Sequence, residues 1–522
     1  MKHITIGFNV PIPGNICLQG RGGDVKAISD ADGADLLPGM APMVGKAKIS
    51  EWLNGLTPQL AGAKMVYCTR ETLRNTAVRP TRTGLMLCLV LLAMGFVGLL
   101  LAEQSGQPSA DPSADNASSR FRRLEQSRQQ AREKHDTKAL LSIAQQMAEL
   151  VHHSGPSMED LGLAYARAGD KEHALEMLRD FVAMGQVDVR LATRPEVGDL
   201  KSTPEFEQLL KQMEQNQAPV QKATTVAEFL DAGLLPEDVD YDASAKSFLA
   251  TSVLQKKIVR LSADGSQTDF AVSPTDWPML ALKIDTKRGL VWATEVALDQ
   301  FAAAPKRDWG RSALICYRLP DGRVLRRIEG PAHSALGDMT LLANGEVIVS
   351  DGAGGGVYRL RTDTTNDVGL ERIDRGDFIS PQTPAALPDG QHVLVADYAR
   401  GIGTLDLATK QVRWVETGWR HALQGIDGLY FHAGTLIAVQ NGNSPERVVL
   451  FRLDPEFTRV VSEELIESAT PSLGDPTHGV IVGGEFYYIA NSGWDALDDA
   501  GKLKSGVHMT RARIMKTQLK TK

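Results

Sequence analysis

The sequence predicts a mainly β protein: a six-bladed β-propeller, preceded by a small N-terminal α-helical module and by one transmembrane or signal helix. Three observations predict it. A phrase made of an alternating strand, a turn with Gly or Asp and a second apolar strand recurs six times. The copies begin at residues 236, 279, 337, 383, 426 and 476, which puts them 43 to 58 residues apart. Between residues 120 and 216 the apolar residues recur instead with a helical period. Further upstream stands "GLMLCLVLLAMGFVGLLLA", Gly84 to Ala102, uncharged and just long enough to span a bilayer as a helix.

Taken in chain order, residues 1–83 come first, and 1–64 show little periodicity, so this segment is expected to be unstructured. Arg70, Arg74, Arg79 and Arg82 lie before the apolar run; Glu103, Asp111 and Asp115 follow it. The positive-inside bias then puts the N-terminus in the cytoplasm and the long C-terminal part in the periplasm or otherwise outside it, as in a single-pass cell-membrane protein. Eighty-three preceding residues are too many for a signal-peptide n-region, which favours an uncleaved signal anchor. A start at Met65 instead gives an arginine-bearing n-region, with Leu100 and Ala102 as a weak cleavage site and a protein secreted to the periplasm. On both alternatives residues 84–102 make the membrane contact and the rest is exported.

A chain of 522 residues is too long for one ordinary core. Hydrophobic content of 43% suits a globular protein. The formal charge of −7, with no basic stripe, excludes a nucleic-acid footprint. The four cysteines are Cys17, Cys68, Cys88 and Cys316, so only Cys316 lies in the exported part and no disulfide can form within it. No Cys-x-x-Cys metal knuckle occurs, and Cys316 in "SALICYRL" reads as a buried strand residue.

Residues 103–119 form a Ser/Pro/Asp-rich tether without an apolar face. In "KALLSIAQQMAELV", Leu140, Ile143, Ala144, Met147, Leu150 and Val151 fall on one helical stripe. "LGLAYARAGDKEHALEML" follows, with "AGD" at 168–170 as its turn and "TPEFEQLLKQM" (203–213) as a closing helix. Leu161, Gly162, Tyr165 and Ala174 are spaced as in a tetratricopeptide repeat, which this segment resembles. Small residues there let two helices approach, and Tyr165 fills the space between them. The module, residues 120–216 with three to five helices, reads equally as a spacer or as a groove for a protein partner.

From residue 222 to 518 the alternation takes over. Most copies of the phrase are followed by a third strand ("KIVRL", "ALICYRL", "GVYRLR", "GIGTLDL", "VVLFRL") and several by a fourth. Four antiparallel strands per repeat of this length indicate propeller blades rather than an open sandwich. "RARIMKTQL" is expected as an outer strand of the last blade, with residues 220–230 helping to close the ring.

Inner strands of a propeller begin at one mouth of the channel. Residues at those starts are Glu237 and Asp238, Asp338, Gln382, Asp427, and Asp475 with His478. Several oxygens meeting there suit a divalent cation such as Ca2+, which takes six to eight oxygen ligands. A bound cation polarises a carbonyl that water attacks, and a neighbouring carboxylate or His478 can take the proton.

On this repeat pattern the chain, over about residues 235–518, resembles the senescence-marker-protein/gluconolactonase/luciferin-regenerating family of six-bladed propellers and, more distantly, the paraoxonases. The resemblance implies a divalent metal, commonly calcium, at the channel mouth and hydrolysis of a small lactone or ester. Family ligands are a glutamate early in blade one, asparagines in the middle blades and an aspartate late in the ring. Glu237 in "LPEDVDYD" falls at the first, and Asp427 in "GIDGL" at the last. Gln382 in "SPQTPAALPDG" stands at an asparagine position, and Asp338 in "LGDMTLLANG" stands close to another. The resemblance thus implies Glu237, Gln382 and Asp427 around the metal, Asp427 and His478 in catalysis, and Asp238, Asp338 and Asp475 lining the channel.

"DGAGGG" (351–356) lacks the Gly-Lys-Ser and the following helix of a phosphate loop and reads as a hairpin loop. No Gly-x-Ser-x-Gly elbow and no His-Glu-x-x-His occur, so serine-hydrolase and zincin chemistry lack support. The alternative to a lactonase is a non-catalytic cell-envelope binding or scaffold protein, whose channel acids only organise the ring.

Overall fold

The structure, a computed structural model, describes residues 16–21, 24–29, 116–299, 301–362, 369–418 and 420–519. The chain divides into two compact units, 1–106 and 107–522. In the first, strands β1 (Ile16–Arg21) and β2 (Asp24–Ser29) pair antiparallel, where the sequence showed no clear period. Met65, the apolar segment 84–102 and the tether up to residue 115 lie outside the described residues. Among the described residues no helix is long and apolar enough to cross a membrane.

The second unit opens with five α-helices among its described residues: α1 (Ala117–Glu133), α2 (Thr137–Leu150), α3 (Gly155–Arg167), α4 (Lys171–Ala183) and α5 (Pro204–Asn216). Four of their starts are set by local chemistry. Asn116, Asp136, Asp170 and Thr203 each accept the N–H three residues on, satisfying a donor that the helix leaves unpaired. Asn116 therefore starts the first helix inside the stretch read as tether. The whole stripe from Leu140 to Val151 is buried, as its period requires. A Cβ on Gly162 would lie 2.9 Å from Leu178 Cγ, so glycine sets the close approach of α3 to α4. Tyr165 is half-buried and stacks on His173 at 5.1 Å.

These helices are not a free-standing spacer. Ala422 joins the core of α3–α5, and Ile379 packs with Ala117, Leu150 and Val151. Val187 N donates to Ser444 O at 2.7 Å, and the buried Arg447 guanidinium donates to Met184 O. The helical segment thus rests on the loops of the propeller that surround residues 376–379, 422–424 and 442–447.

Two short strands follow the helices, β3 (Val220–Gln221) and β4 (Thr224–Glu228). Blade one is then β5 (Pro236–Asp242), β6 (Ser247–Ser252), β7 (Lys257–Ser262) and β8 (Gln267–Val272). Blade two is β9 (Met279–Asp285), β10 (Leu290–Ala297), β11 (Arg311–Arg318) and β12 (Val324–Glu329). Blade three is β13 (Leu336–Leu341), β14 (Val347–Asp351), β15 (Gly356–Leu360) and β16 (Glu371–Arg372); blade four is β17 (Pro381–Ala386), β18 (His392–Asp397), β19 (Gly401–Asp406) and β20 (Val412–Trp414). Blade five is β21 (Gly428–His432), β22 (Thr435–Gln440), β23 (Arg447–Leu453) and β24 (Val460–Ser468), and blade six is β25 (Gly479–Val482), β26 (Glu485–Ile489) and β27 (Arg513–Gln518). Within each blade consecutive strands pair antiparallel, and the first strands of successive blades neighbour one another around the ring. This is a six-bladed β-propeller.

Closure departs in one respect from the sequence reading. β27, expected outermost, is the third strand of blade six; β4 supplies the outer one, and β3 adds a fifth strand to blade five. Strands from the two ends of the propeller segment, joined in one sheet, hold the ring shut by backbone hydrogen bonds. Phe229, fully buried between blades six and one, adds apolar burial at the seam. The rest of the core lies between facing sheets, as with Trp292, Leu314, Val347 and Val349 between blades two and three. Cys316 is buried in β11, and its burial pushes the thiol up to about 12.

The "SDG" and "ADY" endings have a local cause. Asp351 accepts the backbone N–H of Ala335, Ala353 and Gly354, and Asp397 accepts those of Ile379, Ser380, Ala399 and Arg400. Each aspartate caps its own turn and ties it to the start of the inner strand, so "DGAGGG" is a hairpin turn.

Candidate functional site

Inner strands of blades one to four share an irregularity near their starts. Two residues oppose one at Glu237–Asp238 against Thr251, Leu280–Ala281 against Thr294, Gly337–Asp338 against Ser350, and Gln382–Thr383 against Ala396. Such bulges re-aim side chains at a sheet's end. They also set the correspondence between blades: Gln382 occupies the place of Glu237, whereas Asp338 occupies the place of Asp238. Asp427 and His478 stand directly before β21 and β25.

The ring brings Glu237, Asp427 and His478 together. One ligand atom from each lies within 4.8 Å of the others. Trp494 Nε1 donates to Glu237 Oε2, and Asn441 Nδ2 donates to Asp427 Oδ2 at 2.8 Å. The other oxygen of each carboxylate has no protein donor among the described residues. Asp427 is held from behind, because Thr383 Oγ1 donates to its carbonyl at 2.6 Å.

His478 is 1% exposed and is gripped on both sides. Its Nδ1 donates to Glu237 O at 3.0 Å. Its Nε2 lies 2.7 Å from Asp338 Oδ1, an ion-pair contact between blades six and three. That contact is off the line that a directed N–H bond needs, so Nε2 has no in-line acceptor.

Electrostatics follow from this crowding. Burial raises the Asp427 carboxyl to about 7; Asp338 and Asp475 add to the rise, while His478 and Asn441 oppose it. Burial, then Asp427, pushes Glu237 well above the usual carboxylate range. For His478 burial acts downward, but Asp338 and Asp427 outweigh it and hold the ring as imidazolium well above its ordinary value.

The other sequence candidates are placed elsewhere. Asp238 is 1% exposed and fully engaged: it accepts from Val239 N, Leu282 N and Lys283 Nζ at 2.7–2.8 Å. It is a buried ion-pair partner in the wall. Gln382 does not join the trio through its amide nitrogen, which donates to Ser380 Oγ and O at 3.0 and 3.3 Å. His478 stands with the two acids. Asp475 faces Glu446 Oε2 through its own N–H at 2.9 Å, and burial and Asp495 raise it to about 6.

Sequence reasoning missed Asn441, Tyr398, Trp494 and Lys283. Asn441 had a signal: "QNG" stands where other blades have "SDG" and "ADY", with an amide in place of the turn-capping acid. Its Oδ1 accepts from Tyr398 OH at 2.9 Å. Trp494 sits between β26 and β27, in a stretch that no other blade repeats.

No family model matches the chain, and no curated protein does. Solved structures similar to it include a gluconolactonase from Xanthomonas campestris, at 13% identity over 58% of this chain and 91% of that one, with a TM-score of 0.38. A calcium-binding regucalcin from Agrobacterium tumefaciens is similar at 14% identity over 56% and 94%, with a TM-score of 0.39. Virginiamycin B lyase from Staphylococcus aureus is similar at 12% identity over 56% and 98%, with a TM-score of 0.37.

Proposed function

We propose that the protein hydrolyses a small lactone or ester at the channel mouth, around a divalent cation held by Glu237 and Asp427. One observation carries the reading: two carboxylates and an imidazole converge within 4.8 Å in a buried site. The residues present fit a cation. Each acid keeps one oxygen free of a protein donor among the described residues, and two adjacent buried carboxylates are costly to ionise without a positive charge. Oxygen ligands of this kind suit Ca2+. When bound, the cation supplies polarisation of the ester carbonyl.

The chain's own residues do the remaining work. Asp427 takes a proton from the attacking water; burial raises its carboxyl to about 7 without a cation, and a bound cation lowers it. As that water adds to the carbonyl carbon and the ring C–O bond breaks, the departing oxygen needs a proton. His478, kept as imidazolium beside Asp338, is the donor and the fixed positive charge rather than the base. Asn441 and Thr383 hold Asp427 in place.

A pH dependence follows. Asp427 is raised in the folded chain, so it favours the fold below about pH 4 and that contribution is lost as pH rises through about 7. Hydrolysis is expected to rise over the same window as the base ionises, and added divalent ion to move the rise to lower pH. The thermal shift produced by Ca2+, Mn2+ or Zn2+ is expected to be larger at pH 8 than at pH 6. A divalent-ion shift independent of pH would sink the assignment of Asp427 as ligand.

The second reading, a non-catalytic binding protein of the cell envelope, has one observation in its favour. Both ring nitrogens of His478 already contact protein, which is how a purely structural histidine would be held. A lactone panel read with a pH indicator separates the two. Export belongs to both readings and rests on residues 84–102: a C-terminal alkaline phosphatase fusion is expected to be active, and an inactive fusion overturns the topology.

A further inference from the structure

A cleft of about 320 Å³ opens between the helical segment and the propeller. That volume lies at the small end of ligand pockets, about 300–1,000 Å³. Phe121, Leu140, Ala144, Met147 and Leu163 form its apolar helical wall; Tyr398, Gln424 and Gly442 form the propeller side. The cleft is tied to the reaction centre, because Tyr398 OH donates to Asn441, and Asn441 donates to Asp427.

The charges around it are unequal. Arg128 is engaged by Glu125 and Asp160, Arg167 by Glu196, and Arg194 by Asp188 and Glu159. Arg132, in the last turn of α1, also lines the cleft and has no ion pair among the described residues. An apolar trough with one guanidinium left outside the ion pairs complements a chain that ends in an anion.

We propose that this cleft binds an anionic amphiphile, an apolar chain whose carboxylate meets Arg132. Combined with the hydrolytic reading, on which this part rests, the substrate is an ester or lactone whose apolar chain lies along α1–α3. The helical segment then forms one wall of the substrate site.

The test is fluorescence titration of the full chain with dansylated undecanoic acid. Saturable binding that decanoate displaces is expected. Ala144→Trp, which fills the trough, and Arg132→Gln, an exposed change that leaves the fold intact, should each weaken it about tenfold, the loss of roughly 1.4 kcal/mol. No saturable binding, parental affinity in both cleft variants, or displacement by an apolar peptide but not by decanoate overturns the proposal. If the probe binds as expected and no lactone is hydrolysed, the hydrolytic reading fails and the cleft stands.

Discussion

Asp427→Asn is expected to lower kcat/KM for the best lactone by about a thousandfold, within the range that general-base catalysis supplies. It is also expected to remove most of the divalent-ion thermal shift. Asparagine keeps the volume and can still accept from Asn441, so the fold should be retained. Indeed, the variant should gain stability relative to the parent as pH rises to 8, because the parent must then ionise a buried carboxyl that burial has raised to about 7. Full activity and an unchanged metal shift in this variant would count decisively against the proposed function. Loss of both with an intact far-ultraviolet spectrum would support it.

Asp238→Leu is expected to destabilise the propeller by about 3–5 kcal/mol, the usual cost of removing one partner from a buried ion pair. Lys283 would be left with its ammonium in the wall, and the N–H groups of Val239 and Leu282 would lose their acceptor. The change reads out in urea denaturation. Replacing both members, Asp238→Leu with Lys283→Met, should recover much of the loss, since an apolar pair of similar volume needs no desolvation of charge. A single variant as stable as the parent would show that the pair contributes nothing. Asp238 also acts through space on His478, so this variant is read as stability and not as activity.

Much of the architecture was legible because its causes are local. Alternation of period two marks a strand with one buried face, and a turn residue every few positions marks a hairpin. All six phrases became the inner two strands of a blade. The helical stripe from Leu140 to Val151 was legible for the same reason. Closure was less so: β27 has the pattern of any strand, and only pairing with β4 makes it third in its sheet. Residues 220–230 were expected to help close the ring, as β3 and β4 do, but nothing near residue 513 announces which of them pairs with it.

The site divides in the same way. Sequence by itself placed Glu237, Asp427 and His478 at the starts of inner strands, since repeat position decides which residues can reach the mouth. Only the tertiary structure decided which of the candidate side chains meet. The bulges turn adjacent acids to different partners, so that Glu237 faces Trp494 and Asp427 while Asp238 goes to Lys283. Asp338 and His478, from different blades, become an ion pair once the ring is closed. Repeat position is a property of the chain read in one dimension; charge pairing in a narrow channel depends on distances that exist only once the ring is shut.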